Sequence, residues 1–145
     1  MAELMVVVMI IGLLAVLSMP ALGRFIQNSR LNGDTEQFAV ALRSARSSAV
    51  MKNINVIFSF DVTQNTYSYF EDSDRNGVRS TDEYLSATYN LSPNVKILAH
   101  TFTSTKLTFG SKGNTRESGT ITLVNTNNKI KGIRIFGGTG NITVD

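Results

Sequence analysis

The stretch Glu3-Leu4-Met5-Val6-Val7-Val8-Met9-Ile10-Ile11-Gly12-Leu13-Leu14-Ala15-Val16-Leu17-Ser18-Met19-Pro20 decides how the rest of the chain is read. From Leu4 to Leu22 no residue is charged. At about 1.5 Å per helical residue the run extends roughly 28 Å, close to the hydrocarbon thickness of a bilayer. It therefore predicts one membrane-spanning helix. Glu3 stands at the entrance of that helix with no basic residue before it. Ionisable groups at membrane depth are costly and mark a partner or a function. The bland account is a first-turn carboxylate facing the positive end of the helix dipole.

A removable signal peptide also places an apolar run near the N-terminus. Here an acidic residue, not a basic one, precedes the run, and no small-x-small cleavage pattern follows it. Pro20 lacks a backbone donor and crowds the preceding turn, which predicts a kink or a local melt. Beyond it Arg24 marks the exit from lipid, and Leu31, Phe38, Leu42, Ala45 and Ala49 recur on one helical face. That stripe reads as the face packing on a globular domain, with Arg43, Arg46 and Lys52 falling elsewhere. Asn32-Gly33-Asp34 interrupts the pattern with poor helix formers, and Asp34 reads as a cap for a second helical segment.

From Ile54 the period changes to two: Ile54, Val56, Phe58 and Phe60 alternate with Asn55, Ile57 and Ser59, the pattern of a half-buried strand. A turn at 63–65 leads to Tyr67 and Tyr69, giving a hairpin. Further strands are expected at 84–89, 95–99, 106–109, 120–124, 130–136 and 142–144, separated by Asn, Gly and Pro turn signals. The expected fold class is α+β: a long N-terminal helix on an antiparallel β-sheet or small β-sandwich. Three parts follow: a transmembrane helix over 1–23, an amphipathic helix over 24–52 and a β-rich domain over 53–145.

With 145 residues there is room for one such domain. The net charge of +3 comes from only 17% charged residues of both signs, too weak a bias to imply nucleic acid by itself. There is no Cys and a single His. Neither a disulfide framework nor a thiolate site is available, and no nucleophile, phosphate-loop or metalloprotease motif occurs. His100, alone on an expected strand, reads as a packing or surface residue. The chain is not expected to be an enzyme.

The first twenty residues, with Glu3 and Pro20, resemble the N-terminal helix of type IV pilins and type II secretion pseudopilins. The segments 41–50, 107–113, 119–123 and 140–144 resemble the GspH/FimT branch, so the likeness covers nearly the whole chain. The resemblance implies a short basic leader ending in glycine, removed by a prepilin peptidase, then two mature residues ahead of Met1 and methylation. It implies a single-pass protein of the bacterial inner membrane with its C-terminal domain in the periplasm, which joins other pilin-like subunits in a pseudopilus or cell-surface pilus. Glu3 would pair with the N-terminal amine of an adjacent subunit, and flexibility is expected at Pro20. The alternative within the resemblance is a minor pilin whose β-domain binds DNA or secreted cargo.

Two constellations bear on such binding. Residues 72–83 satisfy the calcium-loop pattern D-x-[DN]-x-[DN]-G-x5-E, with Asp72, Asp74, Asn76, the Val78 carbonyl, Ser80 through a water and bidentate Glu83 as oxygen ligands. Gly77 permits the sharp turn. The flanks read as strands rather than helices, and Arg75 and Arg79 add positive charge. A polar turn without metal accounts for the same residues. Ca2+ is the one candidate cofactor. The basic residues Lys106, Lys112, Arg116, Lys129, Lys131 and Arg134 concentrate toward the C-terminus. DNA binding needs them on one face; a scattered, solvated set is the alternative.

Overall fold

The computed structural model describes residues 2–145, apart from the side chains at 15, 17, 18 and 20. A single helix, α1 (Ala2–Lys52), is followed by eight strands: β1 (Asn55–Asp61), β2 (Thr66–Asp72), β3 (Tyr89–Asn90), β4 (Val95–His100), β5 (Lys106–Phe109), β6 (Gly119–Asn125), β7 (Ile130–Phe136) and β8 (Asn141–Val144). The helix runs unbroken through Pro20, so the local melt expected there does not occur. Among the described residues no helix is long and apolar enough to cross a membrane. The reading of 4–22 as a bilayer span rests on the sequence.

The strands form two antiparallel four-stranded sheets, ordered β3-β2-β1-β5 and β4-β6-β7-β8. The C-terminal half of α1 lies against strands of both. Leu31, Phe38, Leu42, Ala45 and Ala49, the predicted stripe, are all fully buried and share one core with Val56, Phe58 and Phe109 of the first sheet and Ile121, Leu123, Ile133 and Ile135 of the second. A helix with one apolar stripe gains stability only by such burial, at about 25 cal/mol per Å2 of apolar surface. The α+β class follows from this packing.

The helix does not break at Asn32-Gly33-Asp34. Asp34 is buried, and its carboxylate accepts hydrogen bonds from the Ser92 backbone N–H at 2.8 Å and the Ser92 hydroxyl at 2.9 Å. It holds the turn before β4 onto the helix instead of capping a second segment. Replacing Asp34 with Ala leaves the two half-buried Ser92 donors without their acceptor and should cost about 2 kcal/mol, read as a lowered denaturant midpoint of the full chain in detergent. An unchanged midpoint would show that water replaces the carboxylate.

The helix ends where Asn53 adopts a left-handed φ of 55°. The Ile54 N–H donates to the Ala49 carbonyl and the Asn53 N–H to that of Val50, the hydrogen-bond pair of a Schellman cap. Lys52 in the last turn reaches both carboxylate oxygens of Glu71 on β2 at 2.8 Å. Arg46 donates through Nε to the Gly113 carbonyl at 2.9 Å and through Nη2 to that of Thr139 at 3.0 Å.

The expected strand over 84–89 is reduced to Tyr89–Asn90, with an isolated bridge between Leu85 and Phe70. At Ser86 the hydroxyl, rather than a backbone carbonyl, accepts the Tyr69 N–H. That side-chain substitution interrupts the ladder while keeping 84–86 along the edge of β2.

Candidate functional site

The helix changes character along its length. The described side chains of 2–14, 16, 19 and 21–26 are exposed, among them Leu4 at 69%, Met9 at 78% and Phe25 at 69%. Packing begins where Gln27 and Asn28 meet the turn between β6 and β7. Asn125 donates to Asn28 at 2.9 Å, and the Thr126 hydroxyl donates to Gln27. Isolated surface leucines are ordinary, whereas a continuous apolar surface of this length marks an interaction site. Glu3 lies in the first turn of the exposed part, as the sequence places it.

The second site is the acidic loop. The Glu71 N–H donates to the Tyr84 carbonyl at 3.0 Å, closing residues 72–83 into an excursion at the end of β2. Within it the carboxylates organise the backbone. Asp72 Oδ2 accepts from the Gly77 N–H at 3.2 Å and Asp74 Oδ1 from the Asn76 N–H at 3.1 Å. The two oxygens of Glu83 accept from the Ser73 N–H at 2.8 Å and the Ser80 N–H at 2.9 Å. Asn76 Oδ1 takes the Val78 N–H. Left-handed φ angles of 60° at Arg75 and 77° at Gly77 let the chain turn this sharply.

The sequence-predicted acidic ligands are brought together: one carboxylate oxygen each from Asp72, Asp74 and Glu83 lies within 4.8 Å of the others. Burial pushes the Asp72 carboxyl above the ordinary range, the neighbouring Asp74 carboxyl and the Glu83 charge add to this, and the Gly77 N–H offsets part of it. A polar groove of about 400 Å3 adjoins Asp72, with Asn55, Ile57, Thr108, Asn114 and Arg116 on its other walls.

The basic residues are spread over both sheets. Lys106 on β5 and Arg116 share a shallow depression, whereas Lys129 sits in the turn before β7. Lys131 and Arg134 are three residues apart on β7 and so point to opposite faces, and Arg134 pairs with Asp145 at 3.3 Å. His100 stacks edge-on to Phe60 at 5.1 Å, with Nδ1 at 3.1 Å from the Phe102 carbonyl oxygen. Of the two roles expected for it, packing or surface, the half-buried ring takes part of each.

Comparison with known proteins places this architecture. No curated protein sequence matches the chain. Among solved structures, the minor pseudopilin EpsH from the type 2 secretion system of Vibrio cholerae superposes with a TM-score of 0.64 at 10% identity, over 80% of this chain and 96% of that one. The type IV minor pilin FimU of Pseudomonas aeruginosa strain PAO1 gives a TM-score of 0.64 at 16% identity, over 83% and 92% respectively. At such identities the likeness is one of fold. Residues 34–139, well over half the chain, match the family described as Type II transport protein GspH. On that match the chain belongs to the GspH family of type II transport proteins, and its fold is the one seen in a pseudopilin and a minor pilin.

Proposed function

We propose that the subunit enters its filament through the exposed half of α1, which waits in the inner membrane before assembly and exchanges lipid for the helices of neighbouring subunits. The observation that carries this is the contrast within one helix: the described apolar side chains between Leu4 and Ile26 stand exposed, while from Leu31 onward the apolar face is buried. Exposed aliphatic surface in water is unfavourable by about 25 cal/mol per Å2, so this half needs lipid or protein around it. Lipid tails are as apolar as the helix, so the exchange gains from close packing and polar pairing rather than from the hydrophobic effect. Family membership supports other pilin-like subunits as the partners and a filament on the periplasmic side, with the β-rich domain facing outward.

Glu3 sets the axial register in this reading, because a carboxylate among apolar helices is stable only beside a positive partner on the next subunit. Glu3→Gln removes the charge and keeps the shape. It should leave the monomer folded and membrane-bound while lowering incorporation into filaments about tenfold, equivalent to roughly 1.4 kcal/mol. The check is the ratio of variant to parent subunit in sheared or cross-linked filaments, with membrane fractions as the control. Parental incorporation of Glu3→Gln would overturn the register role.

A further inference from the structure

We propose that the loop 72–83 is a divalent-cation site that takes Ca2+, with Asp72, Asp74 and Glu83 as its charged ligands. The observation beyond the clustering of acids is Asp72 itself. It is 2% exposed, and its Oδ1 makes no hydrogen bond within the protein. A buried carboxylate oxygen without a donor is costly. Two more carboxylate oxygens within 4.8 Å add like-charge repulsion in a partly dry site, Glu83 being 9% exposed. The ion pairs among the described residues are Lys52 with Glu71 and Arg134 with Asp145, so neither relieves this cluster. A dication at the focus of the three carboxylates satisfies the orphaned oxygen and the repulsion together.

The donor chemistry selects the ion. All charged ligands are carboxylates, and the further donors that the 1-3-5-7-9-12 spacing supplies are the Asn76 amide oxygen, the Val78 carbonyl and Ser80, an all-oxygen set with neither His nor Cys in the loop. Six to eight oxygens on a flexible loop suit Ca2+, whereas Mg2+ demands a tighter octahedron and keeps its waters. The backbone is already drawn into shape: Glu83 spans Ser73 and Ser80, and Asp72 holds Gly77. Each of these oxygens retains lone-pair capacity for a cation after accepting one N–H. β2 on one side and the 84–86 segment bridged to its edge on the other replace the usual pair of helices as the loop's frame, with Lys52 gripping Glu71 next to Asp72.

The test uses the full chain in detergent micelles, stripped of metal with chelator. Calorimetric titration with CaCl2 should show one Ca2+ per chain, with a Kd in the range of about 0.1 to 1 mM expected of extracellular modules. At ten times Kd the folded-to-unfolded ratio should rise about elevenfold, read as a higher melting midpoint. MgCl2 at the same concentration should raise it far less. Glu83→Gln should weaken binding at least tenfold. Because Glu83 also closes the loop, Asp74→Asn is the second variant: exposed Asp74 accepts from the Asn76 N–H and side-chain amide, bonds an Asn oxygen can also accept, so this chain should keep the calcium-free midpoint and lose about tenfold in affinity. No binding heat and an unmoved midpoint in 10 mM CaCl2, or parental affinity in Asp74→Asn, would overturn the site. An equal response to magnesium would overturn its assignment to calcium.

Discussion

A Gly140→Ala chain should lose about 3 to 5 kcal/mol of stability, enough to unfold much of the population of an ordinary domain on mild heating. Gly140 sits in the turn between β7 and β8 with a φ of +63°, where its N–H donates to the Phe136 carbonyl at 2.6 Å. An L-residue in that conformation costs about 1 to 2 kcal/mol. The larger part is steric, because an added Cβ would land on the Gly113 carbonyl oxygen, far inside van der Waals contact, and 3.0 Å from Arg46 Nε. That carbonyl has no freedom to retreat. It accepts Arg46 Nε, and the Gly113 N–H is bound to the Gly110 carbonyl at 2.8 Å. Relief must separate two turns and their common arginine. Guanidinium unfolding of the full chain in detergent gives the difference; a loss under 1 kcal/mol would mean that the turns sit apart in solution.

Phe38→Ala should cost a comparable 3 to 5 kcal/mol, the usual range for deleting a fully buried ring. Phe38 projects from α1 into the first sheet, its ring tilted against Tyr67 at 4.3 Å and Phe58 at 5.3 Å, and Tyr67 stacks on Tyr89 at 5.2 Å. Truncation leaves a void bounded by rings on a strand ladder, which cannot collapse without shifting β1 against β2. Val40→Ala, two residues along and exposed, provides the contrast at within about 0.5 kcal/mol. Equal effects in the two variants would contradict the burial of one helical face.

The sequence carried much of this fold because its signals were local. Five of the later strands sit within a residue of their expected ranges, since Asn, Gly and Pro mark the turns that bound them. The helical stripe was legible for the same reason, each member being three, four or seven residues from the next, one or two helical turns. What escaped depends on distant partners. Asp34 sits among poor helix formers and looked like a cap, but its acceptor capacity is used 58 residues away at Ser92. Ile57 alternates with Val56 and Phe58 as an outward residue, yet it is buried opposite Phe70, beside a groove that residues 75–77 also line. Arg46 carried no signal for its role, since carbonyls of turns at 113 and 139 leave no pattern in residue type. In the acidic loop the ligand types and spacing were visible, while the burial and orphaned oxygen of Asp72 emerge only when β2 and the 84–86 segment close around it.

The one helix that serves both sheets also decides how the domain bears load. Tension on the exposed half of α1 enters at Gln27 and Asn28 and is spread along the buried face from Leu31 to Ala49, so it acts as shear on a layer interlocked with both sheets at once. No strand is presented at its end to be peeled away one hydrogen bond at a time. The Lys52 grip on Glu71 fastens the far end of the same rod. The β-rich body therefore travels with its helix as a single rigid load.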